Sequence, residues 1–315
     1  MRSMACAWGY SGIRKHRLPS ATCFRQMLSI CRRDFLFGAA AMLGCSCVPL
    51  RAQEATSASR VVSLDYGLAQ TMIELGVPPV GLVDTPAWAD WTVEPPLPAK
   101  VVNLGSAHEV NMELLQLLRP DLIVSTPYLE WVRPQLEQIA PVKSFPIHAL
   151  GSSPFPHIID ATRELGRMLG RTTEAEALID RSEMELRAAQ TATRHLGKLA
   201  VITFIDERNI RIYGPGGIFQ DVFDRLELQN AWTRSTNEWG FADIGMADLF
   251  DLGDARLFYM DPIPPDVLAK LPGSPLWQSM PFVQAGHVQR MASVLMFGTL
   301  PAATRFARLL AEAST

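Results

Sequence analysis

Two tryptophans lie three residues apart in a proline-rich stretch, PAWADWTVEPPLP, at residues 86–98. Proline fixes φ and removes a backbone donor, so this stretch is predicted to be a loop, not a helix or a central strand. Loops usually run over the surface, and indole rings there suit the binding of a large, partly apolar ligand. We therefore interpret Trp91 as a binding residue and Trp88 as a ring that folds back onto the core.

The residue types that commonly catalyse reactions or ligate metals lack the spacing for either role. The five histidines beyond residue 52 form no H-x-x-x-H or H-E-x-x-H pair. All five cysteines lie within the first 47 residues, which excludes disulfides and thiolate chemistry from the rest of the chain. No G-x-S-x-G or G-x-G-x-x-G motif occurs, and Ser152–Ser153 is the one serine cluster beside a turn. The chain is predicted to be a binding protein that is not an enzyme and ligates no metal directly.

Charge divides the chain into a basic beginning and an acidic remainder. Residues 1–52 hold eight of the 29 basic side chains and one of the 32 acidic ones. The remainder therefore has 21 basic and 31 acidic side chains. An acidic surface opposes binding to phosphate backbones, so nucleic acid is not an expected partner.

Residues 1–52 are interpreted as a signal peptide. Arg32 and Arg33 precede Asp-Phe-Leu and a short apolar run that ends near residue 50, and this pattern is similar to the twin-arginine export motif. The run is short for a membrane span. Cleavage is expected after Ala52, while lipid attachment at Cys45 and a start at Met27 stay open as alternatives.

Strands alternate with helices beyond residue 60, which predicts a mostly parallel α/β sheet. A helix of about 25 residues is predicted over 172–196, with Thr172 as its N-cap and Gly197 just past its end. At 1.5 Å per residue it would be about 37 Å long. The predicted segments are strands at 60–67, 78–84, 101–105, 121–125 and 255–261, and helices at 68–76, 111–119, 216–227, 265–271 and from 299.

This organisation predicts two α/β lobes joined by one long helix. The expected units are the signal peptide at 1–52, an N-terminal lobe at 53–171, a linking helix at 172–196 and a C-terminal lobe at 197–315.

Several motifs that follow one another along residues 60–313 carry a resemblance to a known protein family. The chain contains RVVSLDYG, W-x-x-EPPLP, LLQLLRPDLIV, TNEWG and PLWQSMPFVQAG. It resembles the periplasmic ferric-siderophore-binding proteins of ABC importers, in particular the ferric-hydroxamate branch. The resemblance implies the class III periplasmic binding protein fold, with two Rossmann-like lobes joined by one long α-helix. It also implies a ligand cleft between the lobes, which holds Fe(III) inside a siderophore, so that no cofactor binds the polypeptide directly.

The resemblance also implies which side chains contact the ligand. Tyr128 lies within one residue of the family's tyrosine that bonds a hydroxamate oxygen. The arginine that the family directs at the iron-bound oxygens would fall at Ala107, so His108 beside it, or Arg133, is the candidate replacement. The other implied contacts are Tyr66, Trp91, Asn237, Trp239 and Phe297, the last where the family has a tyrosine.

The implied partners are a ferric siderophore, an inner-membrane ABC permease and its ATPase, and the chain is expected to be a periplasmic monomer. Carboxylates that dock on the permease would be Glu130 in the first lobe and Asp221 or Asp224 in the second. Two alternatives stay open: a binder of haem or cobalamin, and an exported α/β siderophore esterase.

Overall fold

A computed structural model describes residues 58–148 and 151–314 of the chain. All of the described residues lie in one compact unit, residues 53–315. The signal peptide, Cys45 and Met27 lie outside the described residues.

The first lobe is built on a five-stranded parallel sheet in the order β3-β2-β1-β6-β7, and β4 and β5 form a separate hairpin. Strand β1 reads VVS and is fully buried, as is typical of an interior strand in a parallel sheet. The strands are β1 (Val61–Ser63), β2 (Gly81–Leu82), β3 (Val102–Asn103), β4 (Gly105–Ser106), β5 (Glu109–Val110), β6 (Leu122–Ser125) and β7 (Val142–Ser144). The helices up to the second lobe are α1 (Tyr66–Glu74), α2 (Trp88–Trp91), α3 (Met112–Leu118), α4 (Arg133–Leu136), α5 (Pro154–Met168) and α6 (Thr172–Thr193).

The second lobe has a mixed sheet in the order β11-β9-β8-β12-β13, with β10 paired to β8. Strand β9 is antiparallel to both of its neighbours, while β12 runs parallel to β8 and β13. The strands are β8 (Lys198–Phe204), β9 (Asn209–Tyr213), β10 (Gln229–Asn230), β11 (Phe241–Gly245), β12 (Arg256–Met260) and β13 (Val288–Met291). The helices are α7 (Ile218–Arg225), α8 (Pro265–Lys270), α9 (Pro275–Gln278), α10 (Pro281–Gln284) and α11 (Leu300–Glu312).

The structure confirms the α/β class with two lobes and a long helix between them, and it corrects several local predictions. The strand expected at 60–67 ends at Ser63, because Asp65 accepts the Leu68 backbone N–H at 2.8 Å and caps α1. Thr172 is not an N-cap but the first residue of α6. Within the proline-rich stretch, Trp88–Trp91 form one helical turn, so the expectation of no helix there was wrong. The domain boundaries stay a prediction.

The long helix α6 has 22 residues, which corresponds to about 33 Å. Its buried residues recur at helical spacing, so one face packs against α5 and α11 while the other faces solvent. A single hydrophobic cluster includes Leu68 of the first lobe, Leu178 of α6 and Phe306 of α11. This cluster therefore extends through both lobes, and each lobe also has a hydrophobic cluster of its own.

A polar contact between the lobes reinforces that shared core. The Thr71 and Thr299 hydroxyls lie 2.7 Å apart, and Thr299 donates to the Gly67 carbonyl at 2.8 Å. A Cβ on Gly67 would lie 2.9 Å from the Phe297 carbonyl oxygen, so the backbones of α1 and the 297–298 segment are in close contact. The backbone of the first lobe is therefore in direct contact with the 297–298 segment of the second lobe.

Gly240 is expected to be indispensable for stability. Its φ of +75° is in the left-handed region, and an added Cβ would lie 2.1 Å from Gly217 Cα. Gly240→Ala should therefore lower the free energy of unfolding by about 2 kcal/mol or more, measured by urea denaturation. The control is Gly273→Ala, where no atom lies within 4 Å of the added Cβ. Equal stability of the two variants would contradict the close contact between Gly217 and Gly240.

Candidate ligand-binding cleft

A cavity of about 490 Å³ lies between the lobes, and aromatic rings from both lobes line it. Its volume is within the usual range for a small-molecule site. The wall residues are Leu64, Asp65, Tyr66, Val83, Asp84, Ala87, Trp91, Ala107, Thr126, Tyr128, Ile147, His148, Trp239, Phe241, Leu295 and Phe297. We call this cavity the cleft.

Tyr66 contributes to the cleft from the first turn of α1, next to the C-terminal end of β1. Its hydroxyl donates to the Asp84 carbonyl, and its ring meets the Trp88 ring edge-on at 5.2 Å. Burial, assisted by Asp84 and Asp90, raises the pKa of the Tyr66 phenol. Trp88 is 3% exposed and its indole N–H donates to the Pro95 carbonyl at 2.9 Å, which confirms its interpretation as a core residue.

Trp91 ends the helical turn α2 and lines the cleft from the proline-rich stretch. Two residues later Val93 has φ +63°, a strained conformation for a β-branched residue. Glu94 then pairs with Arg305 of α11 at 2.7 Å and with Arg308, and its carbonyl accepts from Gln70 at 2.9 Å. The Arg305 side chain is 7% exposed, so this ion pair fixes the Trp91 turn to the C-terminal helix.

Trp239 is the central ring of the second lobe's wall. It meets Tyr128 of the first lobe at 6.0 Å, His148 at 5.3 Å and Phe297 at 5.2 Å. Asn237 does not line the cleft. Instead its side-chain oxygen accepts the backbone N–H groups of Trp239 at 2.9 Å and Phe241 at 3.3 Å, so it shapes the turn that positions Trp239.

Neither lysine nor arginine is present among the described residues that line the cleft. Its two carboxyl groups are Asp65, whose pKa burial raises to about 6, and Asp84, which accepts the Ala107 N–H at 3.0 Å. Arg211 lies behind the wall, stacked on Phe241 at 3.8 Å and paired with Asp243 at 2.9 Å. The cleft therefore suits an uncharged or cationic ligand better than an anionic one.

His148 lines the cleft, although no motif or spacing in the sequence singles it out. It packs between Trp239 and Phe297, and both ring nitrogens are buried with no hydrogen-bond partner in the described part of the chain. Burial lowers the pKa of His148 to about 4. A neutral imidazole at this position offers one donor and one acceptor.

The two candidate replacements for the family arginine lie outside the cleft wall. His108 is exposed, and its Nε2 lies 2.9 Å from the Tyr128 hydroxyl, so it orients that phenol from behind. Arg133 bonds Glu130 and Glu137 on the surface, so the idea that it enters the cleft was wrong. Ala107 itself does line the cleft.

The family model described as periplasmic binding protein matches residues 61–295. The chain belongs to this family. It is 30% identical over 257 residues to the iron(3+)-hydroxamate-binding protein FhuD of Escherichia coli K12, which covers 81% of this chain and 86% of that protein.

Two solved structures each align with about four fifths of this chain. The FhuD from Vibrio cholerae, crystallised with Fe3+-Desferal, aligns with a TM-score of 0.76 and 25% identity over 81% of this chain and 97% of that one. Staphylococcus aureus SirA aligns with a TM-score of 0.60 and 23% identity over 81% of this chain and 97% of that one, which shows the fold alone.

The proposed docking carboxylates of this binding protein differ in accessibility. Glu130 is exposed and pairs with Arg133 at 3.2 Å. Asp221 is 7% exposed and accepts from Ser153 Oγ at 2.7 Å and the Phe155 N–H at 2.8 Å, so its selection as a docking residue was wrong. Asp224, the alternative, is exposed and accepts from Gln220 at 2.7 Å.

Within residues 58–148 and 151–314, no group of three or more His, Cys, Asp or Glu side chains is arranged to hold a metal ion. The same residues include no helix long and apolar enough to cross a membrane.

Glu94→Gln is expected to lower the free energy of unfolding by about 1–3 kcal/mol, because it leaves the buried Arg305 guanidinium without its ionic partner. Chemical denaturation monitored by circular dichroism measures the change. Asp90→Asn, an exposed carboxylate on the same turn, is the control and should stay within about 0.5 kcal/mol of wild type. A Glu94 variant as stable as the control would contradict the anchoring role.

His148→Phe is expected to make the ligand-free protein less sensitive to acid. Because the folded-state pKa of about 4 lies below the ordinary 6.5, the unfolded chain takes up the proton first as pH falls. Wild type should therefore lose stability between about pH 6.5 and pH 4, and the variant should lose less. Denaturation at a series of pH values measures this, with exposed His195→Phe as control. Asp65 titrates in both proteins, so its effect cancels when the stability curves of wild type and variant are subtracted. Parallel curves for the two proteins would refute the assignment of the acid sensitivity to His148.

Proposed function

We propose that the chain is the substrate-binding component of an ABC importer that captures a ferric siderophore, of hydroxamate type, in the cleft. The observation that carries this proposal is the convergence of rings from both lobes on one cavity whose described lining includes neither lysine nor arginine. Tyr66, Trp91 and Tyr128 come from the first lobe, and Trp239 and Phe297 from the second. Such a surface buries the organic shell of a preassembled complex.

Charge favours a hydroxamate chelate over other ferric complexes. Three hydroxamate groups carry one negative charge each, so they neutralise Fe(III), whereas three catecholates leave a trianion. An anion would face Asp65 and Asp84 without a compensating cation, and burying an unpaired charge is costly. The relative from Escherichia coli is named for Fe(3+)-hydroxamate, which agrees with this choice.

The polar contacts to the chelate would come from neutral groups. The Tyr128 hydroxyl, supported by His108, and the His148 imidazole can each exchange one hydrogen bond with a chelate oxygen. Iron then arrives already ligated, and the polypeptide contributes no metal ligand and no cofactor.

The ligand would be delivered to an inner-membrane permease and its ATPase. Glu130 and Asp224 are the exposed carboxylates, one on each lobe, that would meet the permease. Export through the twin-arginine route, removal of residues 1–52 and a monomeric state in the periplasm complete the proposal.

One observation favours the esterase alternative. Ser152 Oγ lies 3.2 Å from His157 Nε2, which is the contact a serine nucleophile needs from its base. However, no carboxylate bonds the other nitrogen of His157 in the described part of the chain, and neither residue lines the cleft. Incubation with a ferric siderophore followed by mass spectrometry separates the two functions: intact ligand supports transport and hydrolysed ligand supports the enzyme.

Trp91→Ala and Trp239→Ala are each expected to weaken binding of Fe(III)–desferrioxamine B by about 1–3 kcal/mol, because each removes an aromatic anchor from the cleft. Quenching of intrinsic tryptophan fluorescence during titration measures the dissociation constant. Trp131→Ala, which removes a 62% exposed ring outside the cleft, should bind like wild type. Unchanged affinity in both cleft variants would overturn the site, and an absence of saturable binding to wild type would overturn the ligand class.

A further inference from the structure

A second cavity of about 480 Å³ lies on the other side of Trp91. We call it the side chamber. Its walls come from the end of β8, from β9, from the segment between β12 and α8, and from the segment before α11. The lining includes Trp91, Phe204, Ile205, Arg211, Ile263 and Met296.

The side chamber and the cleft share their dividing wall. Trp91 lines both cavities. Along the segment before α11, Leu295 and Phe297 line the cleft while Met296 between them lines the side chamber. Phe241 of the cleft lies directly under the Arg211 guanidinium of the side chamber, 3.8 Å away. A ligand seated on Trp91 is therefore adjacent to both spaces.

The chemistry of the side chamber is that of an apolar subsite. Phe204, Ile263 and Met296 are at most 9% exposed, and three prolines continue the wall. The Thr203 hydroxyl lies 2.8 Å from the Tyr213 hydroxyl, so it already has a hydrogen-bond partner within the protein.

Arg211 is the one cation among the described lining residues, and its charge is already compensated. It makes two contacts with Asp243, at 2.9 and 3.2 Å, and its guanidinium face is covered by Phe241. The chamber thus offers neither an unpaired charge nor a free donor array to an anion. Ile205 remains 44% exposed at its edge, an apolar side chain that contact with a ligand would cover.

We propose that the side chamber is a subsite for an uncharged, apolar arm of the ligand, an alkyl or acyl chain attached to the ferric chelate whose metal core occupies the cleft. This inference rests on the proposed function, because the core must first bind in the cleft. The driving force is burial of the chain against Ile205, Ile263 and Met296, with Trp91 covering the connection between core and chain.

The test uses two ferric complexes of desferrioxamine B, acylated on the terminal amine with an acetyl or a hexanoyl group. Both are uncharged and differ only in four methylene groups. In wild type the hexanoyl complex is expected to have a dissociation constant about tenfold lower, since even partial burial of four methylenes gives that gain. Fluorescence titration measures both constants.

The variant Ile205→Trp tests whether the higher affinity for the hexanoyl complex comes from the side chamber. The larger ring occupies the chamber's edge, and the exposed position of Ile205 leaves the core undisturbed. The variant should bind both complexes equally, with the acetyl constant within about twofold of wild type. Leu276→Trp, an exposed apolar position on α9 outside both cavities, is the control and should retain the tenfold preference.

Each result decides between the two proposals. Equal binding of the two complexes by wild type, or a preference that survives Ile205→Trp, would overturn the side chamber while leaving the cleft intact. Failure of both complexes to bind would overturn the proposed ligand class itself.

Discussion

The shared hydrophobic core is the constraint on which the cleft depends. Two separate α/β lobes would be free to rotate about any linker, but here Leu68, Leu178 and Phe306 belong to one cluster that runs through α6 and α11. The hydroxyl contact between Thr71 and Thr299 lies within the same junction. Because interiors pack densely, the lobes cannot separate without opening this core. Small adjustments of side chains and turns, not large domain motion, are what this junction permits.

The Trp91 turn illustrates how a surface segment is held in an unfavourable conformation. Val93 is strained, and such strain persists only where neighbouring contacts determine it. Those contacts are the pairing of Glu94 with Arg305, the Gln70 hydrogen bond to the Glu94 carbonyl, and the Trp88 hydrogen bond to Pro95. Two of the three link the turn to helices at the lobe junction, so the ring that separates the cleft from the side chamber is positioned by the shared core.

Much of the fold could be predicted from sequence because it follows local rules. Alternating apolar runs and amphipathic helices predicted the α/β class, and the long helical pattern predicted α6. Trp232 and Trp277 lie in apolar runs of the sequence, and both are buried, at 4% and 6% exposed. Tyr66, Trp91, Tyr128, Trp239 and Phe297 all line the cleft. His148 could not be found in this way, since a single histidine in an irregular segment has no pattern, and its role depends on rings distant in sequence. Asp221 was misjudged for the same reason: its partners, Ser153 and Phe155, lie more than 60 residues away.

The edge-on contact of Tyr128 with Trp239 joins rings from opposite lobes across the cleft. A molecule that inserts between the two rings must first replace the edge-to-face contact that they make with each other. This contact therefore competes with ligand binding. A small apolar molecule has too little surface to replace this contact. A bulky, rigid complex can cover both rings at once, so its contacts with the rings exceed the ring–ring contact that is lost. A ligand that separates this pair must therefore cover at least as much ring surface as the two rings cover in each other.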